Sequence, residues 1–432
     1  MERPQIAVFQ KKLHLTYRGM VLYAVLSMVS MATMNIGAVI LVCCLFMERG
    51  GIQRFFADLQ ELSEIPLFRN YSLVSIILGL ACFLSLASAY WYPLNFDGHT
   101  LSSDWFKDLL KLWYFPWPIF LWIGWRRLSE GQQATVLKSW FLTFGILSWI
   151  GLLQIFSGWP RFQPNPLLPG FFHPTLFLGH HLSVANIWIF PFFALLEFIV
   201  SKKRRDEIRI PKSILLIFLI SGFLVLIFTY SRTLWFALPI GLGHWILKKG
   251  SFKKVIFSLC ALCFFTAFML KMPLFEQRLK NHMGIEERVS LWKANLEFFK
   301  NRPIFGVGFL KNQELSGYYF QSKYPDRKDF FIGHAHNVYL EVLAGLGGFG
   351  FLAWLLWIGW FFMALKQGGV ESKVFSFYPG LSSAWIVFLV NGLTQVNFWE
   401  GKVLHQIMWI VGMTLHCKSF KKSCSPRIFT PS

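Results

Sequence analysis

The residues whose types suit chemistry gather at the mouth of a long apolar run, "FFIGHAHNVYLEVLAGLGGFGFLAWLLWIGWFF" (330–362), where His334, His336 and Asn337 stand. Polar groups at or inside an apolar helix are costly enough that the default reading is functional. Imidazole changes charge near neutral pH, so His336 can take the proton of an attacking hydroxyl as a general base. Two other roles fit the same residues. His336 can cap the apolar helix, and on an extended segment, where side chains two apart align, His334 and His336 can share a metal. No Asp or Glu lies immediately beside the pair, and a site with no metal and no cofactor is expected.

Two arginines offer a complementary chemistry. Arg232, in "FTYSRTLWFAL", comes after Ser231, a natural N-cap, so its guanidinium adds to the positive end of a helix, where phosphate binds readily. Lipid headgroups offer Arg232 an alternative partner. Arg288 opens "RVSLWKANLEFFKNRPIFGVGF", in which Val289, Trp292, Leu296 and Phe299 recur at spacings of three, four and three. That is one face of a helix, expected to lie on the membrane interface. Pro303 ends it, and Gly306 and Gly308 break the chain beyond. Arg161 and His173, in the loop 158–178, are contacts for a carrier or an acceptor, or else interface anchors.

The elements that must position these residues are membrane helices. With 55% hydrophobic and 15% charged residues over 432 positions, the chain has too little polar surface for a soluble globule. Its net charge of +20 does not indicate nucleic acid, because Lys and Arg cluster in short loops such as "KKRRDEIRIPK" and "KKGSFKK", as cytoplasmic loops do. Apolar runs predict spans at 71–92, 109–125, 138–157, 179–200, 213–229, 232–247, 255–271, 335–365, 376–396 and 402–416. Parity of the basic loops makes 19–47 cross an even number of times. Each half is about 20 Å long, so a shallow hairpin or re-entrant pair meeting near "TMNIG" is expected. This yields about 12 segments in a single membrane domain (1–432), with both termini and the tail 418–432 cytoplasmic. Seven cysteines, mostly within apolar runs, do not form a disulfide framework, and Cys260 and Cys263 read as small core hydrophobes.

A large non-cytoplasmic loop, 272–335, separates the ninth and tenth segments. Counted from Lys271, it holds 11 Lys and Arg against 7 acidic residues. Cations kept on the outer side suit an anionic ligand.

The order of these features resembles the O-antigen ligase and polymerase superfamily. The resemblance rests on His336-Asn337 trailed by Gly347 and Gly350, on the Ser231-Arg232 turn, and on Arg288 through Trp292 leading to "PIFGVG" at 303–308. It implies an all-α, GT-C-like polytopic protein of the bacterial inner membrane with a periplasmic active site. It further implies transfer of a glycan from undecaprenyl diphosphate to lipid A-core oligosaccharide, with Arg232 and Arg288 on the donor diphosphate and His336 as base. A polymerase, which uses a growing glycan as acceptor, and a protein-targeting ligase are the alternatives within the superfamily. A flippase or other transporter is the alternative outside it, although such proteins usually carry repeats and midplane charges, and neither is visible here.

Overall fold

The computed structural model describes residues 14–48, 50–92, 94, 105–166, 168–201, 208–249, 271, 283–326, 332–367 and 378–423. Among these the chain is helical, apart from one isolated antiparallel bridge between Pro164 and Phe172. In chain order the helices are α1 (His14–Leu26), α2 (Met31–Met47), α3 (Gly51–Ser63), α4 (Pro66–Trp91), α5 (Trp105–Leu109), α6 (Trp117–Arg126), α7 (Glu130–Ser157), α8 (His181–Val200), α9 (Lys212–Phe228) and α10 (Arg232–Lys249). They continue as α11 (Met283–Asn301), α12 (Asn312–Lys323), α13 (Val338–Gln367), α14 (Tyr378–Asn391) and α15 (Gly401–Ser423). The predicted span at 255–271 and the pair Cys260 and Cys263 lie outside the described residues.

Four described helices are long and apolar enough to cross a membrane: α4, α7, α8 and α13. A fifth is reached if α2 and α3, bent by 103°, count as one span. The apolar helices α1, α9 and α14 are shorter.

Several predicted boundaries move for identifiable reasons. The first segment contains two short helices, and the chain turns at 27–30, where Ser30 caps α2 in a reciprocal capping box with Thr33, and not at "TMNIG". The expected single span at 109–125 is instead the end of α5, a 3-10 turn (Leu110–Tyr114) and the ten-residue α6. Pro116 and Pro118 account for the break, since neither can donate to the preceding turn. At the other end, α15 runs through Ser423 into the stretch expected to be a tail.

Glycines set how closely the helices approach, as small residues do in membranes. A Cβ on Gly145 or Gly222 would overlap the Phe218 or Phe144 ring where α7 crosses α9, and one on Gly241 would meet Val387 where α10 crosses α14. The pairing of α4 with α13 is fixed by polar contacts: Trp360 Nε1 donates to the Leu67 carbonyl at 3.1 Å, Trp357 Nε1 to Ser75 Oγ at 3.2 Å, and Ser85 Oγ to the Gly345 carbonyl at 2.6 Å. These contacts hold α13, and with it the histidine turn at its start.

The amphipathic helix before that turn exists as α11, but with a different buried face. Leu291, Ala294, Asn295 and Phe298 are buried, while Val289 and Leu296 are exposed. The apolar members of that face pack into a small core with Val307, Leu315, Tyr319, Phe320 and Ala344. Protein, not only an interface, covers this helix.

Candidate active site

The turn Gly333–Asn337 is tied down at almost every residue. Ser316 Oγ donates to the Gly333 carbonyl at 3.0 Å and accepts from its N–H at 3.3 Å. The Ala335 N–H donates to Glu341 Oε2 at 2.7 Å, and the Ala335 carbonyl accepts from Trp292 Nε1 at 2.9 Å. Next, the His336 N–H donates to His334 Nδ1 at 3.2 Å. The cap of α13 is Asn337: its Oδ1 accepts from the N–H groups of Tyr339 and Leu340 at 3.0 and 3.1 Å, and its carbonyl accepts from Glu341 N at 2.9 Å. The capping role entertained for His336 therefore belongs to its neighbour. His336 instead sits at φ 48°, in the left-handed region that L-residues enter only when their surroundings hold them there.

Gly347 does more than let helices pack closely, because it interrupts α13 at φ 66°, ψ −172°. The loop after α11 enters that gap. Gly348 N donates to the Pro303 carbonyl at 2.7 Å, Val307 N to Ala344 O at 3.0 Å, and Gly308 N to Gly345 O at 3.1 Å. A Cβ on Gly306 would lie 2.3 Å from the Gly345 carbonyl oxygen, and one on Gly347 2.3 Å from that of Ile304. "PIFGVG" and the glycines trailing the histidine are thus two halves of one clasp, which carries α11 and Arg288 to the histidine turn.

His334 and His336, with ring centroids 4.2 Å apart, line a cavity of about 480 Å³ together with His180, Lys111, Glu341, Gln313 and Glu400. Its wall also includes Asn186, Gln395 and Asn397, which belong to a buried amide network. Asn186 Nδ2 donates to Gln395 Oε1 at 2.6 Å, Asn391 Nδ2 to Asn186 Oδ1 at 2.8 Å, and Gln395 Nε2 to Ser231 Oγ at 3.0 Å. Through Ser231 the network anchors the start of α10, where Arg232 is half-buried. Neither Arg232 nor Arg288 belongs to the cavity wall. Arg288 is half-buried, and its charge acts on both His334 and His336.

Arg161 and His173 stand one layer further out. The Arg161 guanidinium passes over Gly179, at φ 85°, immediately before His180. His173 is buried and stacks on His181 at 4.2 Å, which stacks on His180 at 4.5 Å. They back the cavity residue His180 and do not line the cavity.

Electrostatically the site favours neutral imidazoles. Burial, followed by the neighbouring charges of His334, Arg288 and His180, holds His336 down to about 3. Burial lowers His334 and His180 as well. Neutral imidazoles beside a guanidinium can accept protons while the guanidinium binds an anion. His180, Lys111, Glu341 and Glu400 were not singled out from the sequence. Three of them carried a signal there, since Lys111, His180 and Glu341 are ionisable residues within the apolar runs 109–125, 179–200 and 335–365.

No curated protein matches the chain. The O-antigen ligase family profile matches residues 215–355, a stretch that takes in Arg232, Arg288, the "PIFGVG" loop, the histidine turn and the glycine clasp. Over residues 215–355 the chain is thus similar to the O-antigen ligase family, and its long apolar helices are those of a membrane-integral protein.

Proposed function

We propose that the chain is an O-antigen ligase, transferring a glycan from undecaprenyl diphosphate to lipid A-core oligosaccharide at the periplasmic face of the bacterial inner membrane. The observation that carries this reading is the left-handed turn that presents His336 to a cavity of about 480 Å³ beside Arg288. Arg232 and Arg288 hold the donor diphosphate, whose oxygens match the guanidinium fork. The acceptor hydroxyl oxygen bonds to the anomeric carbon as the bond from that carbon to the diphosphate breaks. The hydroxyl proton passes to His336 and is released to the departing diphosphate or to water.

A base held so low is adequate for two reasons. The hydroxyl becomes strongly acidic as its oxygen bonds to carbon, so it needs only a weak acceptor late in the step. Donor binding also places negative charge beside the imidazoles, which favours their protonated form.

The test is complementation of a bacterium that lacks its O-antigen ligase, with lipopolysaccharide read as a ladder on a gel, alongside transfer by the purified protein. A restored ladder supports ligation. Longer glycan on the carrier without attachment to the core would make the chain a polymerase, and unchanged covalent attachment would make it a transporter. Placement is tested by labelling single cysteines at Arg205 and Lys323, of which only the second should react in cells with an intact inner membrane.

A further inference from the structure

We infer that Glu341 is a positioning residue for the transfer, its carboxylate holding the Ala335–His336 turn so that the His336 ring faces the cavity; the inference rests on the function proposed above. The helix start does not need Glu341 for its own sake. Asn337 already caps α13, and Val338 N donates to the Gly392 carbonyl at 2.9 Å. What Glu341 adds is a contact outside the helix, from Oε2 back to the Ala335 N–H six residues earlier.

That contact falls where it matters. Ala335 is gripped on both sides, by Glu341 at its N–H and by Trp292 at its carbonyl, and the next residue is the left-handed His336. With its N–H released, the turn can relax toward an ordinary backbone conformation and swing the imidazole away from the attacking hydroxyl. Glu341 is only 6% exposed, and a buried carboxylate in an apolar helix is too costly to keep without a role. Lys111, which lines the same cavity, is electrostatically attracted to it and offsets its charge.

Reach, and not charge, is then the property that matters. Glu341→Gln keeps the chain length and an oxygen that accepts the Ala335 N–H. Glu341→Asp keeps the charge but is one carbon too short. In a transfer assay with purified protein, Glu341→Gln should stay within about 3-fold of wild type, while Glu341→Asp and Glu341→Ala should lose about 10²-fold in kcat with donor KM little changed, as misplacement of a catalytic group does. A second measurement needs no turnover: diethyl pyrocarbonate modification of His336, read by mass spectrometry, should match wild type in Glu341→Gln and differ in Glu341→Asp. Full activity in Glu341→Asp, or a Glu341→Gln as inactive as Glu341→Ala at normal abundance, would overturn the inference and make the charge the working property. If the wild type transfers nothing, the proposed function fails, while the modification pattern still decides the role of Glu341 in the turn.

Discussion

The backbone N–H of His336 donates to Nδ1 of His334 at 3.2 Å, and this bond separates the tasks of the two histidines. It uses Nδ1 of His334 as an acceptor, so neutral His334 carries its proton on Nε2. His334 thereby supports the turn with its ring, whereas His336 contributes its backbone to the turn and its ring to the cavity.

Substitution of His336 by Asn isolates the chemistry. Asn tolerates the left-handed region better than most residues, and the cap belongs to Asn337, so the variant should accumulate and melt like wild type. Its transfer rate should nevertheless fall about 10²- to 10⁴-fold, the usual loss on removing a general base. Asn337→Ala should do the reverse, costing about 1 kcal/mol of stability through the lost cap and less in rate per folded molecule. Full turnover in His336→Asn at normal abundance would remove His336 from the chemistry and make His334 the residue to examine.

The depressed imidazole predicts an uncommon pH response. In the unfolded chain His336 titrates near its ordinary value of 6.5, and in the folded protein near 3. Below about 6.5 the unfolded state therefore binds a proton that the folded state refuses. This contribution to stability is complete above pH 6.5 and is lost progressively as the pH falls toward 3. In rate profiles, kcat/KM reports the free enzyme and should lack a downturn at pH 6–7 from the base. The acid limb of kcat should lie at higher pH, because bound diphosphate favours the imidazolium. Both parameters turning down together at 6.5 would mean that a solvent-exposed histidine governs the rate.

The long helices were legible because length and hydropathy depend on nothing beyond the local chain, and α4, α7, α8 and α13 fall where the apolar runs place them. What escaped depends on partners distant in sequence. The buried face of α11 passes through Leu291 and Phe298 because α12 and α13 lie there, and α11's own periodicity also allowed the face of Val289 and Leu296. His180 enters the cavity only because α8 starts beside the 392–400 turn. Gly347 was visible by its spacing from the histidine, but small residues suit packing and chain breaks equally, so its clasp with Ile304 and Gly306 was not readable.

That clasp makes a stability prediction with an internal control. Gly347→Ala adds a methyl group 2.3 Å from the Ile304 carbonyl oxygen at a positive φ, and Gly306→Ala does the same against Gly345. Each should cost at least about 2 kcal/mol, since the strained backbone alone costs about 1–3 kcal/mol before the overlap is counted. Gly359, further along α13, has nothing within 4 Å of the added atom, so Gly359→Ala should be neutral or slightly stabilising. Abundance in the membrane and melting in detergent would check this. Equal behaviour of Gly347→Ala and Gly359→Ala would mean that the clasp is not closed in the working protein.

The two arginines should separate charge from geometry. Arg232→Lys and Arg288→Lys keep a cation, but ammonium cannot reproduce the two parallel hydrogen bonds of a guanidinium to phosphate, so each should lose about 10²-fold in kcat/KM for the donor. Arg161→Lys serves as the comparison: its guanidinium is exposed over Gly179, outside the cavity wall, and the change should stay within about 2-fold. Position distinguishes the two sensitive residues. Arg288 acts electrostatically on His334 and His336, so Arg288→Ala should also raise the pH at which the kcat acid limb falls, by removing a charge that opposes protonation of the base. Arg232, anchored through Ser231 on the far side of the amide network, should leave that limb in place. Added guanidinium should partly restore Arg288→Ala if a planar cation at the diphosphate is what was lost. Wild-type kcat/KM in both lysine variants, at normal abundance, would take the diphosphate away from these residues and leave Lys111 as the cavity cation to test.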